Sequence, residues 1–534
     1  MQRPFERAAH LASLSAHDFD LVIVGGGATG LGIAVDAASR GYRTALVEQD
    51  DFAKATSSRS TKLVHGGVRY LEQLHFGLVT EALEERAILC ENAPHLVHDL
   101  AFIVPRYHWW EGPFYGAGLK LYDALAGKRN LGKSRLLSRA ETIASIPGVR
   151  EEGLLGGVEY HDAQFDDARM ALALAKTAAA HGASVVNRVR CDGLVVDDGQ
   201  VVGIRATDLE NGHDTIVRGT VVVNATGVFA DRIRRMERPG AAATVEPSRG
   251  VHLVLPREFL PADHAIMVPH TDDGRVLFVI PWHGRTLVGT TDTEVPEPDL
   301  EPRASAEEIG FILRNAGRYL AKAPTEADIL SVFAGLRPLA KPASGEVGTE
   351  DDAKDASKEV SREHAIEISP GGLVTVTGGK WTTYRRMAND AVEAALEVAG
   401  LEPRRCVTET LRLHGYDAAT DAGPGLPDAR ALYGSDRAEL ERIERADRFH
   451  AAPMHARLPV TQSEVIFAAR AEMARSVEDV LARRTRALLL DARAAVEIAD
   501  EVARILAHEL GWSEAVAKAS ADAFRALAEG YLPA

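Results

Sequence analysis

A chain of 534 residues, 46% hydrophobic and 26% charged, is too long for one ordinary core and has the composition of a globular protein of two or three domains. Its 61 Lys and Arg against 77 Asp and Glu leave a net charge of −16, which argues against a nucleic-acid binder. Cys90, Cys191 and Cys406 stand in no metal-like spacing, so reduced thiols, a cytoplasmic setting and no metal site are expected.

Residues 1–18 have no apolar core of a signal peptide and read as an N-terminal extension. FDLVIVGGG, ATGLGIAVDAASRG and YRTALVE, within 19–48, then read as strand, glycine turn and helix, and strand. Residues 78–93 have an amphipathic helical pattern. A second helix near 166–181 ends at Gly182 and leads into the strand ASVVNRVR. TVVVNATG (220–227) resembles a buried strand closing on a glycine turn. Strand-like pieces between about 245 and 340 (VHLVLP, VLFVIPW, TLVGTTD) suggest an antiparallel sheet inserted into the first domain. The acidic stretch 341–361 reads as an exposed loop. HAIEI and LVTVTGG read as strands returning to the first domain. From about 405 the pattern is helical, clearest in ALLLDARAAVEIADEVARILAHEL. There is no internal repeat and no apolar run of transmembrane length, so any membrane contact is expected on the surface. The expected α/β architecture is a nucleotide-binding region over 19–404, an inserted antiparallel-sheet domain near 245–340, and a helical C-terminal domain over 405–534.

Gly25-x-Gly27-x-x-Gly30 follows a strand and opens a helix, the context a dinucleotide fingerprint requires. The glycines permit a tight turn, and the backbone N–H groups of Ala28 and Thr29 sit at the positive helix end, where a pyrophosphate binds. Glu48 ends the second strand, where a carboxylate pairs with a ribose and disfavours a 2′-phosphate, so FAD or NAD is preferred over NADP. Two further glycine turns after apolar strands, Asn224-Ala225-Thr226-Gly227 and Gly378-Gly379, favour a cofactor held at many dispersed points, as FAD is.

ATSSRSTKLVHGGVRYLE (55–72), VEYHDAQFDDAR (158–169), VNATGVFAD (223–231), FVIPW (278–282), VGTTDT (288–293), FAGLRPL (333–339) and GGKWTTYR (378–385) together resemble the FAD-dependent glycerol-3-phosphate dehydrogenases, in that family's order. The resemblance implies an FAD-binding Rossmann-like domain of the glutathione-reductase type and non-covalent FAD. It implies oxidation of sn-glycerol 3-phosphate to dihydroxyacetone phosphate by hydride transfer from C2 to flavin N5. It further implies electron delivery to a membrane quinone, with the protein cytoplasmic and peripherally attached to the inner face of the cell membrane. It assigns Thr56, Ser57, Ser58 and Lys62 to a cofactor-contacting loop and His65, Gly66 and Gly67 to the flavin ring. Val189, Ala225 and Gly227 fall to the adenosine side, and Gly378, Gly379, Lys380 and Thr382 to the closing turn. Arg69, Tyr70, Arg337, Arg362 and Lys380 match the substrate pocket, where cations suit a phosphate.

Arg337 is expected nearest the C2 oxygen, and its permanent charge suits it to stabilise an alkoxide rather than to act as a base. His65, a water or an arginine-linked relay could take the proton. Trp381 departs from relatives with leucine there and reads as a packed ring. Arg385 reads as a surface or neighbouring charge, and His161, Asp162, Asp166 and Asp167 as helix-start and packing residues. Trp109, Trp110, Phe114 and Tyr115, followed by Lys120 and Lys128, suit either an interfacial membrane patch or packing against the inserted sheet. A glycerol-3-phosphate oxidase using O2 and releasing H2O2 shares the same pocket. An amine-oxidising flavoprotein shares the glycine turns, but the cation set argues against it. The sequence leaves open whether two copies pair as a homodimer.

Overall fold

In a computed structural model of the chain, residues 5–67, 75–341, 364–417 and 429–533 are described. Arg69, Tyr70, Arg362 and all but the first residue of the acidic stretch 341–361 lie outside them. The short apolar runs become strands β1 (Phe19–Val24), β2 (Thr44–Val47), β3 (Leu63–Val64), β4 (Val97–Arg106), β5 (Arg135–Ser138), β6 (Gly156–Phe165), β7 (Ser184–Val186), β8 (Val189–Asp197), β9 (Gln200–Asp208) and β10 (Asp214–Asn224). They continue as β11 (Val245–Pro256), β12 (Ala265–Val268), β13 (Leu277–Trp282), β14 (Arg285–Gly289), β15 (Thr293–Glu294), β16 (Ser331–Ala340), β17 (His364–Ile368), β18 (Val374–Gly378), β19 (Pro453–His455) and β20 (Leu458–Thr461).

One sheet runs β17-β18-β10-β1-β2-β7, parallel from β18 to β7, with β17 antiparallel at its edge. β1, β2 and the second half of β10 are largely apolar because both faces are covered, one by helices and the other chiefly by the β8–β9 hairpin. Helix Ala28–Ser39 packs on helix Tyr384–Ala399 where Gly32 leaves room for the Tyr384 ring. Helix Asp167–Ala180 is capped by Asp166, whose carboxylate accepts the Arg169 N–H at 2.9 Å. The expected strand ASVVNRVR divides into β7 and β8 because Arg188 turns the chain with φ 58°.

The second sheet, β15-β11-β14-β13-β12-β4-β6-β3 with β16 on β11 and β5 on β6, is antiparallel except where β12 meets β4. It draws β3 to β6 from the first third of the chain as well as the strands of 245–340. One face covers Leu253, Ile266, Ile312 and their neighbours. The other is sealed by the C-terminal domain, so that Trp282 and Phe333 share a core with Leu488 and Leu489. Hydrogen bonds stitch that seam, among them Ala492 N–H to Leu330 C=O at 3.1 Å, Ser331 Oγ to Leu488 C=O at 3.0 Å and the Arg493 guanidinium to Ile329 C=O at 3.0 Å. The C-terminal domain adds the small hairpin β19–β20 to its helices. Its clearest helical run breaks into Ala487–Leu490, Ala492–Glu497 and Ala499–Leu510, because Asp491 turns inward and accepts the Ala494 N–H at 3.0 Å.

Candidate active site

The carboxyl ends of β1, β2, β10 and β18 converge on an open cavity, at the point where the chain leaves β1 for neighbours on either side. That is where open parallel sheets bind ligands. Three glycine turns form its floor. Gly25 and Gly27 follow β1, Ala225 to Gly227 follow β10, and Gly378 and Gly379 close β18. At Gly25, φ is 113° and an added Cβ would lie 2.6 Å from the Ala225 carbonyl oxygen. At Gly30, behind the turn, a Cβ would lie 1.9 Å from the Gly25 carbonyl oxygen, so the helix reaches the turn only because that position is bare. The N-terminus of helix Ala28–Ser39 thus faces the cavity, with Ala28 and Thr29 on the wall.

Glu48 lines the wall beside the first glycine turn. Its carboxylate accepts the N–H groups of Gly26 at 2.7 Å and Asp50 at 2.8 Å. Burial nonetheless pushes its pKa up to about 7, outweighing those two donors, with the charges of Asp50 and Asp51 adding to the rise. A carboxyl poised there can accept from or donate to a sugar hydroxyl. Val189 completes the wall, its N–H held by the Glu48 carbonyl at 2.8 Å.

The loop after β2 supplies Ala53, Lys54, Thr56 and Ser57. Ser57 Oγ accepts the Ala28 N–H at 2.9 Å, and Thr56 Oγ1 donates to the Leu336 carbonyl at 2.6 Å. Lys380 and Trp381 face this loop across the cavity. The Trp381 indole N–H donates to the Ser57 carbonyl at 2.9 Å, and its ring meets Phe165 and Tyr384 edge-on with centroids 5.5 and 5.7 Å away. It is a packed ring and a bridge between two walls.

Several expected residues stand elsewhere. Ser58 is buried behind the loop. Lys62, expected to offer a cation to the cofactor, is fully buried, and its ammonium donates to Asp167 at 2.7 Å and to the Ser58 carbonyl at 2.8 Å. Burial, with Arg486 adding to it, lowers its pKa to about 7 against the pull of Asp167. The loop's cation at the cavity is instead Lys54. His65, Gly66, Gly67 and Thr382 form a neighbouring turn outside the cavity lining. The His65 N–H donates to Thr382 Oγ1 at 3.3 Å, and the Gly66 N–H to Tyr122 Oη at 2.9 Å. Arg337 adjoins the wall residue Pro338, and its guanidinium donates to Asp292 and to the Thr291 carbonyl, both at 3.1 Å. Arg385 is no surface charge: it is buried in an ion pair with Glu85 that ties helix Tyr384–Ala399 to helix Phe76–Asn92. The sequence reading missed Lys54, Arg232, Cys191 and Met387 on the wall. Only Lys54 carried a signal, as the cation between the second strand and the TSS loop.

These residues fit an extended dinucleotide: bare glycine turns where a phosphate chain approaches, a helix N-terminus beside them, a carboxyl at the sugar end, and two lysines on the walls.

The model of the FAD dependent oxidoreductase family matches residues 20–385, and that of the C-terminal domain of alpha-glycerophosphate oxidase matches residues 406–517. The chain is 39% identical over 544 residues to a probable mitochondrial glycerol-3-phosphate dehydrogenase of Caenorhabditis elegans, covering 96% of this chain and 74% of that protein. It is 40% identical over 528 residues to glycerol-3-phosphate dehydrogenase 2 of Mycobacterium tuberculosis, covering 96% and 88%. The crystal structure of the glycerol-3-phosphate dehydrogenase from Bacillus halodurans complexed with FAD superposes with a TM-score of 0.78 at 30% identity, covering 99% of this chain and 98% of that one. A glycine oxidase from Geobacillus kaustophilus, at 19% identity and a TM-score of 0.54, shares the fold.

Proposed function

The chain belongs to the FAD-dependent glycerol-3-phosphate dehydrogenase family, and from that premise we propose that it oxidises sn-glycerol 3-phosphate to dihydroxyacetone phosphate and passes the electrons to a membrane quinone. The observation that carries the reading is the continuous cavity with its three glycine turns and Glu48, bordered by Lys380 and adjoined by Arg337. When bound, FAD accepts the hydride that leaves C2 of the substrate.

The chain's own part is binding, orientation and charge. Gly25, Gly27, Ala28 and Thr29 hold the pyrophosphate and Glu48 the ribose. Thr56 and Ser57 hold the loop against them, and Gly378 and Gly379 let the backbone pass close to the ring system. Lys380 pairs with the substrate phosphate, joined by Arg69, Tyr70 and Arg362. Arg337 stabilises the oxygen on C2 as its proton departs, and the Asp292 and Thr291 contacts orient its guanidinium. His65 or a water takes that proton.

The acceptor is the open half of the reading. The match of 406–517 to a domain named for alpha-glycerophosphate oxidase supports an oxidase as the second reading, with O2 reduced to H2O2. Purified protein given glycerol 3-phosphate, with a soluble quinone and O2 compared as acceptors, tests both. Turnover with quinone and no H2O2 supports the first, and stoichiometric H2O2 overturns it in favour of the second. No described helix is long and apolar enough to cross a membrane. Surface docking is supported by helix Glu111–Ala126 and its lead-in, where Trp109 is 79% exposed and Trp110, Phe114 and Leu121 are exposed beside it. Lipid co-sedimentation that survives replacing Trp109 and Trp110 with serine would rule out this patch.

A further inference from the structure

The loop that walls the cofactor cavity is held by more than its own hydrogen bonds. Ala53 and Lys62 both adopt left-handed backbone, with φ 61° and 62°, at a cost on the order of 1 kcal/mol each that persists only where the surroundings impose it. Much of what imposes it here comes from the C-terminal domain. Arg484 donates to both oxygens of Asp51, at 2.6 and 2.8 Å, and Arg483 adds a third bond to the same carboxylate. Glu478 takes the Lys54 ammonium together with Arg483, the latter at 2.7 Å. Arg486 donates to the Ser58 carbonyl at 2.8 Å and to Asp167 at 2.9 Å. Asp167 in turn accepts from the Ser60 N–H at 3.0 Å and from Lys62 at 2.7 Å.

Arg486 is itself left-handed, with φ 64°, and residues Asp479–Arg484 form a π-helical turn, a wide and uncommon turn that recurs at functional sites. Burial alone would raise the pKa of Asp51, but Arg484 and Arg483 hold it well below the usual carboxylate range. Buried pairs of this kind add little to stability over an apolar core and are better suited to fixing one geometry. The asymmetry matters: Ala53, Lys54, Thr56 and Ser57 line the cavity, whereas no residue of 478–486 does.

We propose that segment 478–486 of the C-terminal domain is a positioning element for FAD, setting the 51–62 loop so that cofactor binding and docking of the segment are coupled. This rests on the cofactor half of the reading above and on neither the substrate nor the electron acceptor. Coupling is reciprocal: FAD must steady the segment by as much as the segment tightens FAD.

The test compares amide hydrogen exchange in the holoenzyme and in flavin-stripped protein. The expected result is slower exchange over 478–486 with FAD bound and no change in helix Arg437–Ala446 of the same domain. Glu478→Gln is expected to release FAD about tenfold faster than wild type, a coupling of ordinary size, with the unfolding midpoint of the flavin-free protein falling less than that of the holoenzyme. Asp522→Asn, on the outer surface, is expected to leave release unaltered. Exchange over 478–486 that ignores FAD overturns the proposal. So does wild-type release from Glu478→Gln, or a flavin-free midpoint that falls as far as that of the holoenzyme, which marks a brace of the fold alone. Should Glu478→Gln not fold, the exchange comparison in wild type decides by itself. A yellow protein inert toward glycerol 3-phosphate would break the substrate reading and leave this test intact.

Discussion

The two sides of the cofactor cavity are built on different principles. The floor is made of backbone: Gly25, Gly27, Ala225, Gly227, Gly378 and Gly379 present peptide groups at strand ends, and each turn is local to a few residues. The loop wall is made of charged side chains, and its contacts join Asp51 to Arg483 across 432 positions. A floor fixed by sterics should fail abruptly when space is taken away. A wall fixed by paired charges should fail by degrees, with pH and with single hydrogen bonds.

The sharpest break is expected at Gly30. With a Cβ placed 1.9 Å from the Gly25 carbonyl, Gly30→Ala should yield protein without bound flavin, checked by the absorbance ratio at 450 and 280 nm. Gly27→Ala is the milder contrast, because its Cβ would meet only Ser57 Oγ at 3.1 Å. A Gly30→Ala protein with full flavin would remove the steric account of the floor.

Next come the two cations of the substrate end. Arg337→Lys is expected to lower the rate of flavin reduction at saturating substrate about a hundredfold, equivalent to about 3 kcal/mol of lost stabilisation for a charge that develops during reaction. Lys380→Ala is expected to act mostly on KM, since phosphate is as charged before the reaction as during it. Single-turnover and steady-state measurements of both variants separate the two, and equal losses in both parameters would erase the division of roles.

Acid should loosen the wall. Burial raises the pKa of Glu301, but Arg59 and Lys54 overcome it and bring the group to about 2 from an ordinary 4.5. A lowered carboxylate contributes stability above about pH 4.5 that is lost as pH falls toward 2, here at most about 3 kcal/mol. Unfolding midpoints of wild type and Glu301→Gln measured from pH 6 downward should converge across that window. The smallest effect is expected from Trp381→Phe, which keeps the ring but deletes the bond to the Ser57 carbonyl, for about 1 kcal/mol and a several-fold weaker grip on FAD by titration.

The same contrast explains what the sequence disclosed. The fingerprint turn, Glu48 and the two later glycine turns were legible because strand, turn and helix impose fixed spacing on neighbouring residues. The inserted sheet was visible at 245–340, where alternating strands follow one another, yet β4 and β6 went unnoticed between helices. Lys62 was misread, and Arg385 was left between the surface and a neighbouring layer, for one reason: a cation in a motif says nothing about which carboxylate, Asp167 or Glu85, the fold brings beneath it. Lys54, Glu478 and Arg484 make the same point, since no local pattern announces a partner more than 400 residues away.

That separation also sets an order of events during synthesis. Asp51 emerges from the ribosome long before Arg483, and at about 5–20 residues per second the intervening 432 positions take roughly 20–90 s to add. For that interval the floor of the seat can form from β1, β2 and their helix, while the adjoining loop has none of its arginine partners. The growing chain therefore carries an incompletely braced loop, its Asp51 and Lys54 without their C-terminal partners, until residues 478–486 have been made.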